Sequence, residues 1–422
     1  NASRDENEFF TITSEEASWF GSLFSLFTPV GNVLSTLLLD LLGHKKCMIL
    51  ANIPCLVAQI LLYFATNVEI LYVCSILMAL GIGFMIAPSF GYLSEVCEPK
   101  LRGSLNSTIT IFYYMGTIIL TMLYSFIKQW RLTVIISMVF PIITIIKLLT
   151  IPDSPIWLLA KGKHLKAQQN LSRLRGNVSN DKCENEFQKM VKYNMPSNND
   201  EPHDIENINT WKQFFEPAVL RPFRLLMMYF FFKILLSGLP LVPYLVSVFN
   251  KFGAPVNVEW SISFSMFLSM IGSLSAVFLI PKLGKRFLTL FTLSVCSICY
   301  IIIGLIGMYW KNAESITSWT ILVLYLTTIF ISSTGITPIM WALIPEIFPA
   351  KYKNILFNIS SACFFVMAFF MTKYYPEFSN AVEFYNAFTI CGIFGLFGCI
   401  YFYFCLPETE NKTLQEIAEF FK

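Results

Sequence analysis

Charge is scarce in this chain. Of its 422 residues only 14% are Asp, Glu, Lys or Arg, against about 25% in a soluble globular protein. Only three His occur, His44, His164 and His203, and none falls in a long apolar run. No Asp or Glu lies in the middle of such a run either. Nothing resembles a catalytic triad, a metal cluster or a phosphate-binding loop, so neither a metal nor a cofactor is expected. These absences exclude a soluble enzyme, a disordered chain and a nucleic-acid binder. A net charge of +3 is too balanced to call for a polyanionic partner. There are 11 Cys, and most (Cys55, Cys74, Cys296, Cys299, Cys363, Cys391, Cys399, Cys405) lie within apolar runs. They read as thiols packed in helices, without a disulfide framework.

What the chain has is apolar surface. Hydrophobic residues make up 55%, with 41 Phe, and the mean hydropathy is +0.60. The bilayer is therefore the expected solvent. A membrane helix needs about 20 mainly apolar residues. At that length the sequence gives eleven candidate spans, near 17–42, 47–66, 69–92, 104–126, 132–151, 223–249, 259–280, 287–309, 318–345, 355–373 and 384–406. The expected organisation is a first half (1–151) with five spans, a polar linker with short helices (152–222), a second half (223–406) with six spans, and a tail (407–422).

Lys and Arg are retained on the cytoplasmic side of short loops. One set of loops holds nine: Lys45, Lys46, Lys100, Arg102, Lys282, Lys285, Arg286, Lys351 and Lys353. The opposite set holds five: Lys128, Arg131, Lys251, Lys311 and Lys373. The linker and tail share the richer side, so both are expected in the cytoplasm and the N-terminus outside. Residues 1–15 have no apolar core of signal-peptide length and no initiator Met, as expected of a fragment or a processed chain. Asn1-Ala2-Ser3 is formally a glycosylation sequon on the outer side.

The halves share landmarks in the same order, the mark of an internal repeat. Gly43, before His44-Lys45-Lys46, matches Gly284, before Lys285-Arg286; Glu95 matches Glu346; Pro152-Asp-Ser-Pro155 matches Pro407-Glu-Thr-Glu410. The offsets are 241, 251 and 255 residues. Each Glu precedes a base, Arg102 or Lys353, by seven residues. One more span precedes Gly284 in its half than precedes Gly43, so a complete parent would have twelve spans, six plus six. Parallel repeats of that kind place a substrate site between the halves.

Gly43 and Gly284 fall where two helices reverse within a few residues, a place that favours positive φ. Asp40, Glu95 and Glu346 stand at or near the same membrane face as Arg102, Lys353, Lys45 and Lys285. Boundary carboxylates are costly unless paired, and bridges among these groups are expected to lock the two halves together. Pro240 and Pro243, after Ser237-Gly238, and Pro338 and Pro345, around Trp341, are expected to break two spans. Each such Pro deletes a helix hydrogen bond, and irregular backbone in a membrane lines a cavity or is buried in protein. Lys233 has two readings, a base snorkelling to the interface or a cation facing a cavity. A proton relay needs an intramembrane acid or His, so the visible spans argue for passive flux. In the linker, Ser154-Pro155 reads as an N-cap and first helical residue, and Ala167, Leu171 and Leu174 as one face of a second short helix ended by Gly176.

Several of these stretches together resemble the sugar porter family of the major facilitator superfamily, and within it the insect facilitative trehalose and hexose carriers. They are Ser18-Trp-Phe-Gly-Ser22, Asp40-x-x-Gly43-His-Lys45, Tyr92-Leu-Ser-Glu95 with Leu101-Arg-Gly103, Pro152-Asp-Ser-Pro-Ile-Trp157, Gly335-x-x-Pro338-x-x-Trp341, Glu346-Ile-Phe-Pro349 and Pro407-Glu-Thr-Glu-Asn-Lys-Thr-Leu414. The likeness covers nearly the whole chain. It implies an all-α major facilitator fold lacking its first helix, and alternating access. Asp40, Gly43, Lys45, Glu95, Arg102, Gly284, Arg286, Glu346 and Lys353 would form the cytoplasmic gate, with Trp341 in the sugar cavity. Departures fall on that cavity: Ile234 and Leu235 replace the family's Gln pair, Pro240 its Asn, Thr110 its fifth-helix Gln, Ser269 its eighth-helix Asn, and Ser333 a polar tenth-helix residue. Pro281 and Ser75 stand where the family has Asp and Arg.

The expected activity is that of a facilitative carrier of a trehalose- or hexose-like sugar. It is expected to be a plasma-membrane protein, monomeric, with the lipid bilayer as its other contact and no nucleic acid. Thr110, Lys233, Ser237, Ser269, Ser333 and Trp341 are the candidate substrate contacts. A carrier for another, anionic, solute drawn to Lys233, and a non-transporting sensor or inactive relic, are the alternatives.

Overall fold

The computed structural model describes residues 13–96, 102–176, 184, 186–188, 190–191, 217–253, 256–309, 315–348, 353–410, 412, 416 and 420–421. The side chains of Asp40, Arg102, Pro345 and Lys353, four of the expected gate and break residues, lie outside the described ones. Eleven helices among the described residues are long and apolar enough to cross a membrane, in the expected order. The first half holds α1 (Ser14–Leu42), α2 (His44–Tyr63), α3 (Val68–Val96), α4 (Arg102–Ile127), and a span made of α5 (Trp130–Ser137) and α6 (Val139–Thr150). The linker contributes α7 (Pro155–Ala160) and α8 (His164–Leu174). The second half begins with α9 (Pro217–Leu236), a 3₁₀ turn (Leu239–Tyr244) and α10 (Leu245–Lys251). It continues through α11 (Val258–Leu283), α12 (Lys285–Tyr309), α13 (Ser315–Thr334), α14 (Ile336–Ile347), α15 (Lys353–Ala381) and α16 (Phe384–Cys405).

The packing is that of a protein dissolved in lipid. Large apolar side chains such as Leu37, Phe126, Ile146 and Phe404 point outward, while Ser22, Thr28, Asn32 and Ser35 are fully buried. Lipid tails are as apolar as Leu, so helices associate through small residues and close backbone approach. A Cβ at Gly83 would lie 2.1 Å from the Thr28 carbonyl oxygen, so α1 and α3 touch backbone to backbone. Hydroxyls stay satisfied inside lipid by turning back on their own helix, as Ser263 does to Glu259 O and Ser269 to Ser265 O. A large buried core runs from Val219 to Phe421, wholly among second-half and tail residues. The linker has its own small core of Leu158, Leu159, Ala167, Leu171 and Phe187. The Ser154 hydroxyl caps α7 at Trp157 N with Pro155 first in the helix, and Gly176 follows α8 at φ 72°. Leu174 is only partly buried. All nine described cysteines are free.

The halves meet along α1 with α15 and α4 with α11. Asn358 Nδ2 donates to Thr36 Oγ1 at 2.8 Å, and Ser18 Oγ donates to Lys373 O at 2.9 Å. Lys373 Nζ lies 4.1 Å above the Trp19 ring, and Phe126 meets Trp260 edge to face at 5.3 Å.

Helix breaks differ from expectation in three places, one being Pro345, through which α14 runs unbroken. The span expected as one piece over 132–151 is broken at Met138. Pro141 is the third residue of α6, so Ser137 O has no i+4 N–H to accept from. The second difference is Pro338. The chain breaks three residues earlier, at Gly335 (φ −128°, ψ −71°), and Pro338 sits in the first turn of α14, where its missing N–H would be unpaired in any helix. The other expected break is present at Ser237-Gly238, with Gly238 left-handed at φ 68° and both Pro240 and Pro243 in the 3₁₀ turn.

Candidate functional site

Two matching clusters form at one end of the bundle, each built on a glycine. Gly43 and Gly284 adopt nearly the same backbone, φ 79° and 81° with ψ 163° and 156°. Each donates its N–H to the carbonyl four residues back, Leu39 O or Ile280 O, and the next helix starts at once. A side chain would be strained by that φ and would also collide, at Gly43 with the Trp157 ring and at Gly284 with the Glu408 carboxylate. Glu408 uses the space to accept from the backbone N–H of Lys285 and Arg286, both at 3.0 Å, an anion seated on the positive N-terminus of α12.

The next residues play paired roles. Lys45 donates to Leu149 O and Ile151 O, at 2.9 and 2.8 Å. Arg286 donates to Tyr403 O at 2.6 Å. Each thus ties a glycine turn to the carbonyl end of its own half's last span. One position earlier, His44 Nδ1 lies 3.6 Å from Glu95, whereas Lys285 Nζ reaches both oxygens of Glu346 at 2.7 and 2.8 Å and Glu410 at 3.0 Å. A hydroxyl completes each carboxylate: Ser154 Oγ donates to Glu95, and Thr409 Oγ1 to Glu346 at 3.0 Å. These contacts correct two expectations. Lys45, expected to meet a carboxylate, binds carbonyls instead, as Arg286 does in the other half. Among the described residues the ion pairs at this end lie within a half, so they do not lock one half to the other. Lys285, one of the bases expected to pair with carboxylates at this face, is the cation at the centre of the second cluster.

Away from these turns, Trp341 spans the junction. Its ring stacks on Phe90 of α3 (6.3 Å, 23°) and meets Phe364 of α15 edge on (5.8 Å, 69°). Phe90 also contacts Phe357, at 6.1 Å. Ser333 Oγ lies 3.4 Å from Tyr114 OH, a contact between α13 and α4. The Ser269 hydroxyl is committed to Ser265 O. The half-buried Thr110 makes no hydrogen bond among the described residues. The Ser237 hydroxyl oxygen is buried without a partner, as are those of Ser360 and Ser361 and both ends of the Asn32 amide. Lys233 is buried, with Nζ 4.7 Å over the Phe364 ring, so it does not snorkel. Pro243 packs against Gly21 of the other half, where a Cβ would sit 2.7 Å from the ring. Tyr114, which meets Ser333, and the buried Asn32 of α1 carried no motif in the sequence; the only available signal was a polar residue within an apolar run.

A family model described as "Sugar (and other) transporter" matches residues 2–421. The facilitated trehalose transporter Tret1 of Polypedilum vanderplanki is 25% identical over 411 residues, covering 97% of this chain and 80% of that protein. Tret1 of Apis mellifera ligustica is 24% identical over 414 residues, 98% and 81% of the two chains. Among solved structures, the inward-open xylose transporter XylE from E. coli superposes with a TM-score of 0.77 at 17% identity, covering 97% of this chain and 91% of that one. The proton:xylose symporter XylE bound to 6-bromo-6-deoxy-D-glucose gives 0.73 at 16%, covering 96% and 98%. The chain belongs to the sugar transporter family: it is a multi-pass membrane transporter of the major facilitator fold.

Proposed function

We propose that the chain carries a hexose- or trehalose-type sugar passively, by alternating access between its halves, in the plasma membrane, as a monomer with the 152–222 linker and the tail in the cytoplasm. The single observation that carries this reading is the junction at Trp341. An indole and two phenyl rings offer flat apolar faces to a sugar ring. On α1, after α9 and on α15, Asn32, Ser237, Ser360 and Ser361 hold buried polar atoms with no partner among the described residues. Buried polar groups without partners are costly, and a sugar's hydroxyls have the chemistry to pair with such atoms. The relatives named as facilitated trehalose transporters support the substrate class. Passive flux is supported by the positions of Asp and Glu, which among the described residues sit at span ends.

Substrate contacts are assigned to Trp341, Lys233, Ser237 and Ser333, with Asn32 and Tyr114 added and Thr110 and Ser269 on the cavity margin. The glycine turns act as the inner gate, each closing its own half: Gly43, Lys45 and Glu95 in one, Gly284, Arg286 and Glu346 in the other. Asp40, Arg102 and Lys353 join them by motif position. The test is saturable uptake of labelled D-glucose and trehalose by cells expressing the chain. Trp341→Ala at equal surface expression is expected to lower uptake at least tenfold. Surface protein with no uptake of either sugar rejects the assignment.

A further inference from the structure

Among the described residues Lys233 has no carboxylate to balance it. It is 94% buried, its exposure being 6%. It stands in the last turn of α9, near the middle of the Val219–Lys251 span. The ends of that span lie about 21 and about 27 Å away at about 1.5 Å per residue, further than a lysine side chain extends. Among the described residues Nζ makes no hydrogen bond or ion pair; its only recorded contact is the Phe364 ring at 4.7 Å. Partial compensation comes from that ring's negative face and from the carbonyl end of α9, equivalent to about half a negative charge. The remainder of a full positive charge is left in a low-dielectric site, where an unpaired ion is disfavoured.

The neighbourhood is polar in a way that suits a ligand. Ser237, one turn beyond Lys233, and Ser360 and Ser361, one turn before Phe364 on the same face of α15, all bury hydroxyl oxygens with no partner. Phe364 in turn meets Trp341, which reaches Phe90 in the other half. A cation over Phe364, an aromatic chain from Phe364 to Trp341 and three unpartnered hydroxyls one helical turn from Lys233 or Phe364 thus stand beside the junction already assigned to substrate.

We propose that Lys233 binds a carboxylate on the transported sugar, so that the substrate is a monoanionic sugar acid of hexose size. This rests on the sugar-carrier reading and narrows it. One ammonium neutralises one negative charge; a phosphate dianion would leave its second charge buried without a partner. Chloride would neutralise Lys233 but leave the three serine hydroxyls unsatisfied. Hydroxyls on the same molecule as the carboxylate satisfy both demands.

The test is equilibrium binding to the purified full chain at constant ionic strength, with D-glucuronate, D-glucose, glucose 6-phosphate and chloride as probes, on wild type, Lys233→Met and Lys233→Arg. Glucuronate is expected to bind at least tenfold more tightly than glucose, glucose 6-phosphate or chloride. Lys233→Met is expected to bring glucuronate and glucose within about threefold of each other, while Lys233→Arg, which keeps the charge, retains a preference. Equal binding of glucuronate and glucose by wild type overturns the proposal even if the methionine variant does not fold. A preference that survives in folded Lys233→Met, a preference for the phosphate or for chloride, or no binding of any probe overturns it as well. Glucose counterflow on the same preparation reports separately on sugar carriage, so a carrier without acid preference is distinguished from a chain that moves no sugar.

Discussion

Lys285→Met removes the cation that two carboxylates share. In the native cluster Nζ stands 2.7 Å from Glu346 and 3.0 Å from Glu410, so the two carboxylates lie at most about 6 Å apart. Losing one partner of a buried ion pair costs about 3–5 kcal/mol. The Lys285 side chain is 7% exposed, but Glu346 and Glu410 are 29% and 22% exposed, which screens the loss to about 2–3 kcal/mol. Repulsion between carboxylates left facing each other is of the same size, up to about 3 kcal/mol at an effective dielectric constant of about 20, and so accounts for most of the loss. Glu410→Gln in the Lys285→Met background is therefore expected to recover at least half of the lost stability. Glu410→Gln alone is expected to cost about 1 kcal/mol, because Lys285 keeps both oxygens of Glu346. Thermal unfolding of the four proteins in detergent at two salt concentrations reads the cycle. A Lys285→Met variant as stable as wild type, or a double variant less stable than Lys285→Met, refutes the cluster's energetics.

Other changes have equally definite outcomes. Gly83→Val should abolish folded, membrane-inserted protein, since even a Cβ would lie 2.1 Å from Thr28 O; monodisperse gel filtration at wild-type yield would contradict the close contact of α1 and α3. Pro338→Ala should change the melting temperature little, because the proline sits in a first turn that needs no N–H there; a loss of several degrees would mean that the added N–H is buried without an acceptor. Ser154→Ala should destabilise by about 1–2 kcal/mol through loss of the α7 cap and of the hydroxyl on Glu95. Ser154→Asp, which restores a cap but sets a second carboxylate on Glu95, should be no better in the same melt.

How much of this was legible in the sequence varied with the physics involved. Spans come from local composition, and all eleven were readable because every membrane helix must satisfy its own backbone. The repeat was readable too, since Gly43 and Gly284 need a conformation that restricts the residue type. Partnerships across the fold were not. Nothing in the sequence distinguishes Lys45, which caps α6, from Lys285, which holds Glu346, because each stands beside a glycine turn and only the distant chain end differs. That the described gate pairs, His44 with Glu95 and Lys285 with Glu346 and Glu410, lie within a half was not legible for that reason. The break at Met138 was not legible because the apolar run over 132–151 is unbroken in composition; Pro141, in the first turn of α6, deletes only one helix hydrogen bond. Asn32 and Tyr114 passed unnoticed because a single polar residue in an apolar run looks the same whether it faces lipid, a neighbouring helix or a substrate.

The most direct measurement is counterflow of labelled D-glucose into proteoliposomes preloaded with unlabelled glucose, with the wild-type chain and with Trp341→Ala. A carrier that alternates around one site concentrates the label transiently above equilibrium, and the account predicts that overshoot in wild type and its loss in the variant. Equal flat traces from both, with protein confirmed in the vesicles, would contradict alternating access of sugar at the Trp341 junction.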